Sequence, residues 1–525
     1  MIRPLSCLAL LSLCAFGFSA LADEKEEAGK KPDTEKKEDA KSGDKKPADH
    51  KPEEKPKEEK PVVTQGEVTI GGQQVKFQAK TGLLPLLKED GSGEKAKIFY
   101  VYYQALGDDG KPLAPKDAAK RPITFCFNGG PGSSSVWLHF GGLGPRKVDI
   151  DPQGLQASPH TAVVPNPNSI LDVTDLVFID PVGTGASRPA KGEKGEQFWS
   201  VNGDIDSIGE FIRSLTTREQ RWASPKFLCG ESYGGIRGSG LCDFLASKFG
   251  LYVDGFVCVS GVINFENIGG SLQGALSFLP SYTATAHFHK KLPPDLQADR
   301  DKAIAEARTF AQGDYALALL KGDSLPAADR TRIAEKLARL TGLDRDLIER
   351  AHLIISPGLF MENLLRKEGK IVGRYDGRVT TEDYDRLNTH PEFDPSYTNI
   401  YGAFSSAANA SIRSDLNYEW DLPYTILGGV NWSYHDFDGE VVNLEDRLAK
   451  ALKTNTKLRV LFCLGYRDLA VPMDSTLYSI EHLHIPADLH SNLTIQYYES
   501  GHMMYLNQPD AEKLRRDIVT FIRGK

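Results

Sequence analysis

The stretch that most constrains the fold is Gly230-Glu231-Ser232-Tyr233-Gly234-Gly235, set between an apolar run, Lys226-Phe227-Leu228-Cys229, and a helix-like segment from Ile236 to Phe249. Strand, tight turn and helix is the setting that a G-x-S-x-G nucleophile elbow needs. Small residues two before and two after the serine let the chain turn sharply and present the hydroxyl at the carboxyl edge of a sheet. The pattern is short and Gly and Ser are common, so its meaning depends on partners elsewhere in the chain.

Other apolar runs end in the same way. Ile123-Thr124-Phe125-Cys126-Phe127 opens into Asn128-Gly129-Gly130-Pro131-Gly132-Ser133-Ser134-Ser135, and Asp175 to Ile179 opens into Asp180-Pro181-Val182-Gly183-Thr184-Gly185. Further strands are expected at Gly255 to Val259, Leu458 to Leu464 and Leu493 to Tyr498. Amphipathic helices are expected at Asp204 to Leu215, Leu444 to Leu452 and Asp510 to Ile522. Buried strands alternating with helices indicate an α/β fold, a mostly parallel central sheet with helices on both faces. Ahead of it, Glu67 to Ile70, Gln74 to Phe77 and Ala96 to Tyr103 read as an antiparallel meander at the sheet edge, with Gly71-Gly72 as a turn and Ile98, Tyr100 and Tyr102 on one face. Between Asn264 and Asp415 helical signals dominate, at Asp301 to Leu320 and Ala327 to Leu340 for example, which reads as an inserted helical cap.

Two late strands supply what a serine lacks. Asp468 follows one and His502 the next, in loops expected to open at the same sheet edge as Ser232. A hydroxyl is a poor nucleophile until an imidazole takes its proton, and a carboxylate fixes that imidazole's tautomer and stabilises its charged form. The order Ser, Asp, His is that of α/β-hydrolases, so an α/β-hydrolase fold is expected. The backbone N–H of Tyr233 and that of Gly130 are the expected oxyanion donors. Taken singly, Asp468 also fits a turn aspartate and His502 a surface histidine; agreement of motif, topology and order favours the catalytic reading. His287, His289, His482 and His484 have no carboxylate or cysteine cluster at ligand spacing, so no metal or organic cofactor is implied.

The start of the chain concerns where it acts. Arg3, the apolar run Leu5 to Phe18, and Ala20-Leu21-Ala22 before Asp23 have the pattern of a signal peptide over 1–22, implying export to a periplasmic or extracellular space. The run is too short for a membrane span, and Leu13 before Cys14 fits a lipoprotein cleavage box poorly. Residues 23–60 hold 14 acidic and 12 basic residues with no aromatic or branched aliphatic side chain, and are expected to be a disordered charged linker. The expected layout is then a core in two parts, 61–263 and 416–525, around the 264–415 cap. A net charge of −8 lacks the basic field that nucleic-acid binding requires. Beyond the signal, Cys126, Cys229, Cys242, Cys258 and Cys463 are odd in number and irregular in spacing. They read as small buried hydrophobes, with one bridged pair still open.

From about Thr81 onward the chain resembles the serine carboxypeptidases, secreted or vacuolar α/β-hydrolases that remove C-terminal residues from peptides. The resemblance rests on the Asn128 to Ser135 run, Leu143-Gly144-Pro145, Asp180 to Gly185, Gly230 to Gly235, Gly465-Tyr466-Arg467-Asp468 and Gly501-His502-Met503. It implies a triad of Ser232, Asp468 and His502, an oxyanion hole of Gly130 and Tyr233, and a peptide substrate whose terminal carboxylate meets Asn128 and Glu231. Glu231 can serve that carboxylate only when protonated, since an ionised carboxyl repels it and a neutral one donates to it. Three positions depart from the family: Cys126 replaces a tryptophan, Ser133 a cysteine, and Gly142 stands where a second glutamate is expected. A single carboxyl, Glu231, predicts a less acidic optimum, or a substrate end bound by something else. An esterase or acyltransferase on the same scaffold is the alternative reading, and a tethered binding protein with a vestigial site is a third.

Overall fold

The computed structural model describes residues 60–385 and 387–524. The expected signal peptide, and the expected linker up to its last residue, lie outside the described part.

A hairpin opens the fold. β1 (Val62–Ile70) pairs antiparallel with β2 (Gln73–Leu87) across Gly71 and Gly72, whose φ of 57° and 79° are the left-handed values a tight turn demands. β2 runs beyond the expected strand, through Gly82 and Pro85. Proline lacks the N–H a central strand needs, but β1 covers β2 only as far as Thr81, so Pro85 lies on a free edge. β3 (Glu94–Ala105) follows, pairing antiparallel with β2, so the expected edge meander is present, and one face of it holds more than the sequence showed. Ile98, Tyr100 and Tyr102 do share a face, yet Phe99, Val101 and Tyr103 on the other face are buried too.

The remaining main strands are β4 (Ile123–Phe127), β5 (Asp175–Ile179), β6 (Lys226–Glu231), β7 (Gly255–Val259), β8 (Arg459–Gly465) and β9 (Leu493–Tyr498). Their order is β1-β2-β3-β5-β4-β6-β7-β8-β9, and from β5 onward every neighbouring pair is parallel. Side chains alternate between two cores. Phe125 and Phe127 face one, with α1 (Val201–Arg218), α2 (Gly234–Phe249) and α7 (Glu445–Thr454), while Cys126 faces the other, with α6 (Pro395–Ser414) and α8 (Gln508–Ile522). α1 begins at Ser200, whose hydroxyl accepts from Gly203 N at 3.2 Å. Its stripe of Ile205, Ile208, Phe211, Ile212 and Leu215 is at most 1% exposed, and at roughly 1.5–3 kcal/mol per side chain that packing, not helix propensity, holds it on the sheet.

A third core lies within the 264–415 segment, where α3 (Leu272–Phe288), α4 (Arg300–Phe310) and α5 (Ala327–Thr341) bury Leu279, Tyr282, Ala303, Ala307 and Leu337 together. Two features there differ from a purely helical insertion. Lys370–Val372 and Thr380–Glu382 form a small antiparallel hairpin, and α6 packs on the main sheet's second core through Ile400, Phe404 and Ala407. All five cysteines expected in the mature chain are free and buried. Among the described residues no helix is long and apolar enough to cross a membrane.

Candidate active site

Parallel strands send their carboxyl ends to one edge, and the candidate residues collect there. Asn128 follows β4, Glu231 ends β6 with Ser232 next, Asp468 follows β8 and His502 follows β9. Ser232 has φ 62°, a left-handed value that costs a non-glycine residue energy and that sharp elbows impose. Its N–H donates to Val259 O at 3.1 Å and its carbonyl accepts from Gly235 N at 2.8 Å, so the turn is tied on both sides. Gly230 is required by contact: a Cβ there would lie 2.3 Å from Gly234 O. Ser232 keeps partial exposure while Glu231 and Tyr233 beside it are buried.

Asp468 and His502 meet directly, His502 Nδ1 to Asp468 Oδ2 at 2.7 Å, both at most 1% exposed. The other carboxylate oxygen accepts from Ala470 N and Val471 N, each at 2.8 Å, which fixes the carboxylate's orientation. Burial alone would lower the pKa of His502, but the charge of Asp468, its hydrogen bond and the nearby Glu231 outweigh it and raise the net value. Among the described residues no hydrogen bond joins Ser232 Oγ to His502, a common state of unliganded sites. The backbone N–H groups of Gly130 and Tyr233 make no backbone hydrogen bond among the described residues. Gly129 brings their two loops together, since a Cβ on it would fall 2.4 Å from Tyr233 N.

Glu231 is 2% exposed, and burial pushes its carboxyl up to about 7; His502, Tyr505 and Asn128 oppose that rise and Asp468 adds to it. Asn128 Oδ1 accepts from Leu138 N at 3.0 Å, and its Nδ2, near Glu231 and Tyr505, closes no hydrogen bond of ordinary geometry among the described residues.

Sequence reasoning missed several supports. Arg237, fully buried on α2, pairs with Asp204 of α1 at 2.7 Å and donates to the Asn128 carbonyl at 2.5 Å, tying both helices to the glycine-rich loop. Its motif was visible only as an arginine on an otherwise apolar helix face. The loop between the two short hairpin strands crosses the Asp468 and His502 loops. Tyr375 O accepts from His502 N at 2.6 Å and its ring stacks on the imidazole at 5.1 Å, while Arg374 O and Arg467 O join the same ladder through Leu469 N and Gly377 N. His289 Nε2 meets Gly377 O at 2.7 Å, so one histidine of the His287/His289 pair serves this loop. Among the described residues no group of three or more His, Cys, Asp or Glu is placed to hold a metal.

Strand order, elbow and carboxyl-edge loops together define an α/β-hydrolase fold with a candidate Ser, His and Asp site. Residues 70–264 match the family model for serine carboxypeptidase, bearing out the resemblance drawn from the motifs. The chain is 25% identical over 274 residues to serine carboxypeptidase-like 50 of Arabidopsis thaliana, a match covering 50% of this chain and 52% of that protein. It thus spans about half the length of that curated relative. Similar solved structures include Kex1(delta)p, a prohormone-processing carboxypeptidase from Saccharomyces cerevisiae, at 16% identity and a TM-score of 0.49, covering 85% of this chain and 91% of that one. A thermophilic esterase from Thermogutta terrifontis is similar at 14% identity and a TM-score of 0.33, covering 84% and 98%.

Proposed function

We propose that this chain is an exported serine carboxypeptidase-like hydrolase that removes C-terminal residues from peptides through an acyl-enzyme. In this reading Ser232 Oγ attacks the scissile carbonyl carbon and His502 takes its proton. The Gly130 and Tyr233 N–H groups hold the oxyanion, and the tetrahedral adduct collapses as His502 returns the proton to the departing amine. Water, deprotonated by His502, then releases the acyl group. Asp468 keeps His502 in the required tautomer throughout. Asn128 and protonated Glu231 bind the terminal carboxylate of the substrate, and the 264–415 segment acts as a cap that shapes the side-chain pocket.

One observation carries the reading: a buried carboxyl, its pKa pushed up to about 7, sits directly before the elbow serine and within electrostatic reach of an imidazole already bonded to Asp468. An esterase or acyltransferase on the same scaffold is the second reading, favoured by the missing carboxyl at Gly142. Blocked dipeptides with a free or an amidated C-terminus separate them. Preferential cleavage of the free acid is expected, and equal cleavage of both would reject carboxylate recognition. Labelling by a fluorophosphonate, lost in Ser232→Ala, tests the nucleophile; folded protein that does not label would count against both enzyme readings.

A further inference from the structure

Tyr505 lies three residues past His502, in the short helical turn Met504–Leu506, and its ring packs over Gly141 and Gly142. A Cβ on Gly141 would come within 2.6 Å of the ring, and one on Gly142 within 3.1 Å. The space that a side chain at 142 would use is therefore already filled by a tyrosine. What the ring delivers is its hydroxyl, which is buried and close enough to Glu231 and Asn128 to act on both, yet closes no hydrogen bond of ordinary geometry among the described residues.

The same holds for its neighbours. Asn128 Nδ2, Glu231 Oε2 and the Tyr505 hydroxyl are all buried polar atoms that close no hydrogen bond of ordinary geometry, and they arrive from the loop after β4, the end of β6 and the loop after β9. A buried polar atom that closes no bond is costly, and these three lie close enough to act on one another, so one ligand entering between them can serve all three. An amide N–H₂, a phenol O–H and a protonated carboxyl together offer donors to a single acceptor with several lone pairs. A carboxylate is that acceptor.

We infer that the Tyr505 hydroxyl is a third donor to the terminal carboxylate of the peptide, occupying the place left open at Gly142. This rests on the carboxypeptidase reading above and deepens it. A phenol here has one advantage over a second carboxyl: burial and the charge of Glu231 raise its pKa well above the usual phenol value, so it donates without needing acid. A purely structural role, in which the phenol only restrains Glu231, is the competing account.

The test compares wild type with Tyr505→Phe, which keeps the ring against Gly141 and Gly142 and removes the donor. Three substrates share one acyl group: a blocked dipeptide with a free C-terminus, its amide, and a p-nitrophenyl ester. Losing a hydrogen bond to a charged group should raise KM for the free acid roughly 10- to 100-fold with a smaller change in kcat, and should lower kcat/KM for the acid at least tenfold more than for the ester. Gly142→Ala, which presses on the ring, should erode the same preference. Equal losses on acid and ester, or an unchanged KM for the acid, would overturn the role of Tyr505. If wild type cleaves acid and amide equally, the carboxypeptidase reading falls and this inference with it. If wild type prefers the acid and both variants keep that preference, only the inference falls. Thermal unfolding of each variant verifies that the fold survives.

Discussion

Glutamine at position 231 has nearly the shape of the native glutamate but never ionises, so Glu231→Gln isolates the proton that carboxylate binding is argued to need. Raising a carboxyl from 4.5 to about 7 corresponds to roughly 3 kcal/mol in favour of its neutral form. Below pH 4.5 the group is protonated whether the chain is folded or not, and its contribution to stability is fully present. Between pH 4.5 and about 7 the unfolded chain sheds the proton while the native one keeps it, so stability falls, and above about 7 the full deficit remains. Glu231→Gln removes the deficit. The variant should unfold as wild type does at pH 4 but gain up to about 3 kcal/mol at pH 8, a rise of a few degrees in Tm. Activity should change in parallel. For a free-acid peptide, wild-type kcat/KM should rise as His502 loses its proton and fall about tenfold per pH unit once Glu231 ionises beyond about 7, giving an optimum near neutrality. Glu231→Gln should lose the falling limb, because its amide donates at every pH. Its rising limb should move to lower pH, since the negative charge that helps raise His502 is gone. Steady-state profiles from pH 5 to 9 read both limbs. A strongly acidic wild-type optimum, or a falling limb that persists unchanged in Glu231→Gln, would refute the reasoning.

Asp468→Asn should lower kcat by about 10⁴ on every substrate class, because an amide at that position favours the wrong imidazole tautomer; stopped assays on ester and peptide measure it. Asp204→Ala strands the Arg237 guanidinium in the interior, where an unpaired charge costs about 3–5 kcal/mol, and urea unfolding should report a loss of that size. Tyr375→Leu removes the ring stacked on His502, an interaction worth about 0.5–1.5 kcal/mol. It should therefore reduce kcat by up to about tenfold on ester and peptide alike, unlike Tyr505→Phe, and a loss confined to peptides would contradict its assignment as support for the imidazole.

What could be read in advance was whatever is written locally. Phe125 to Phe127, Val177 to Ile179 and Val257 to Val259 are apolar without alternation because both faces of a parallel sheet are covered, and such runs announce themselves. Each ends where its apolar residues end, so the loops carrying Asn128, Ser232, Asp468 and His502 were legible as strand exits, and chain order supplied their roles. The hairpin at 370–382 was not legible. Strands of three residues leave no period to detect, and Tyr375 gains its importance only from lying over His502, which is far along the chain. The extension of β2 through Pro85 was not legible either, since a proline lacks the ladder donor and only the limited reach of β1 over β2 admits it there.

Gly142 makes the same point at the level of chemistry. Read along the chain, it is a missing carboxyl and hence a weakened site. In the fold it is a clearance, kept open so that the ring of Tyr505, from the far end of the sequence, can lie against it and carry a hydroxyl toward Glu231. A glycine and a tyrosine that look unrelated in sequence are thus one feature in space, because a residue without a side chain has meaning only through whatever occupies the volume it leaves. The carboxyl-edge loops could be found by pattern because each strand ends independently of the others. The donors between them could not, because a hydrogen-bonding subsite is a property of several loops at once. Where a motif residue is replaced by glycine, the neighbour that fills the gap decides whether a function has been lost or moved to another side chain, and here the hydroxyl of that neighbour and the two polar atoms beside it, none of which closes an ordinary hydrogen bond, favour relocation.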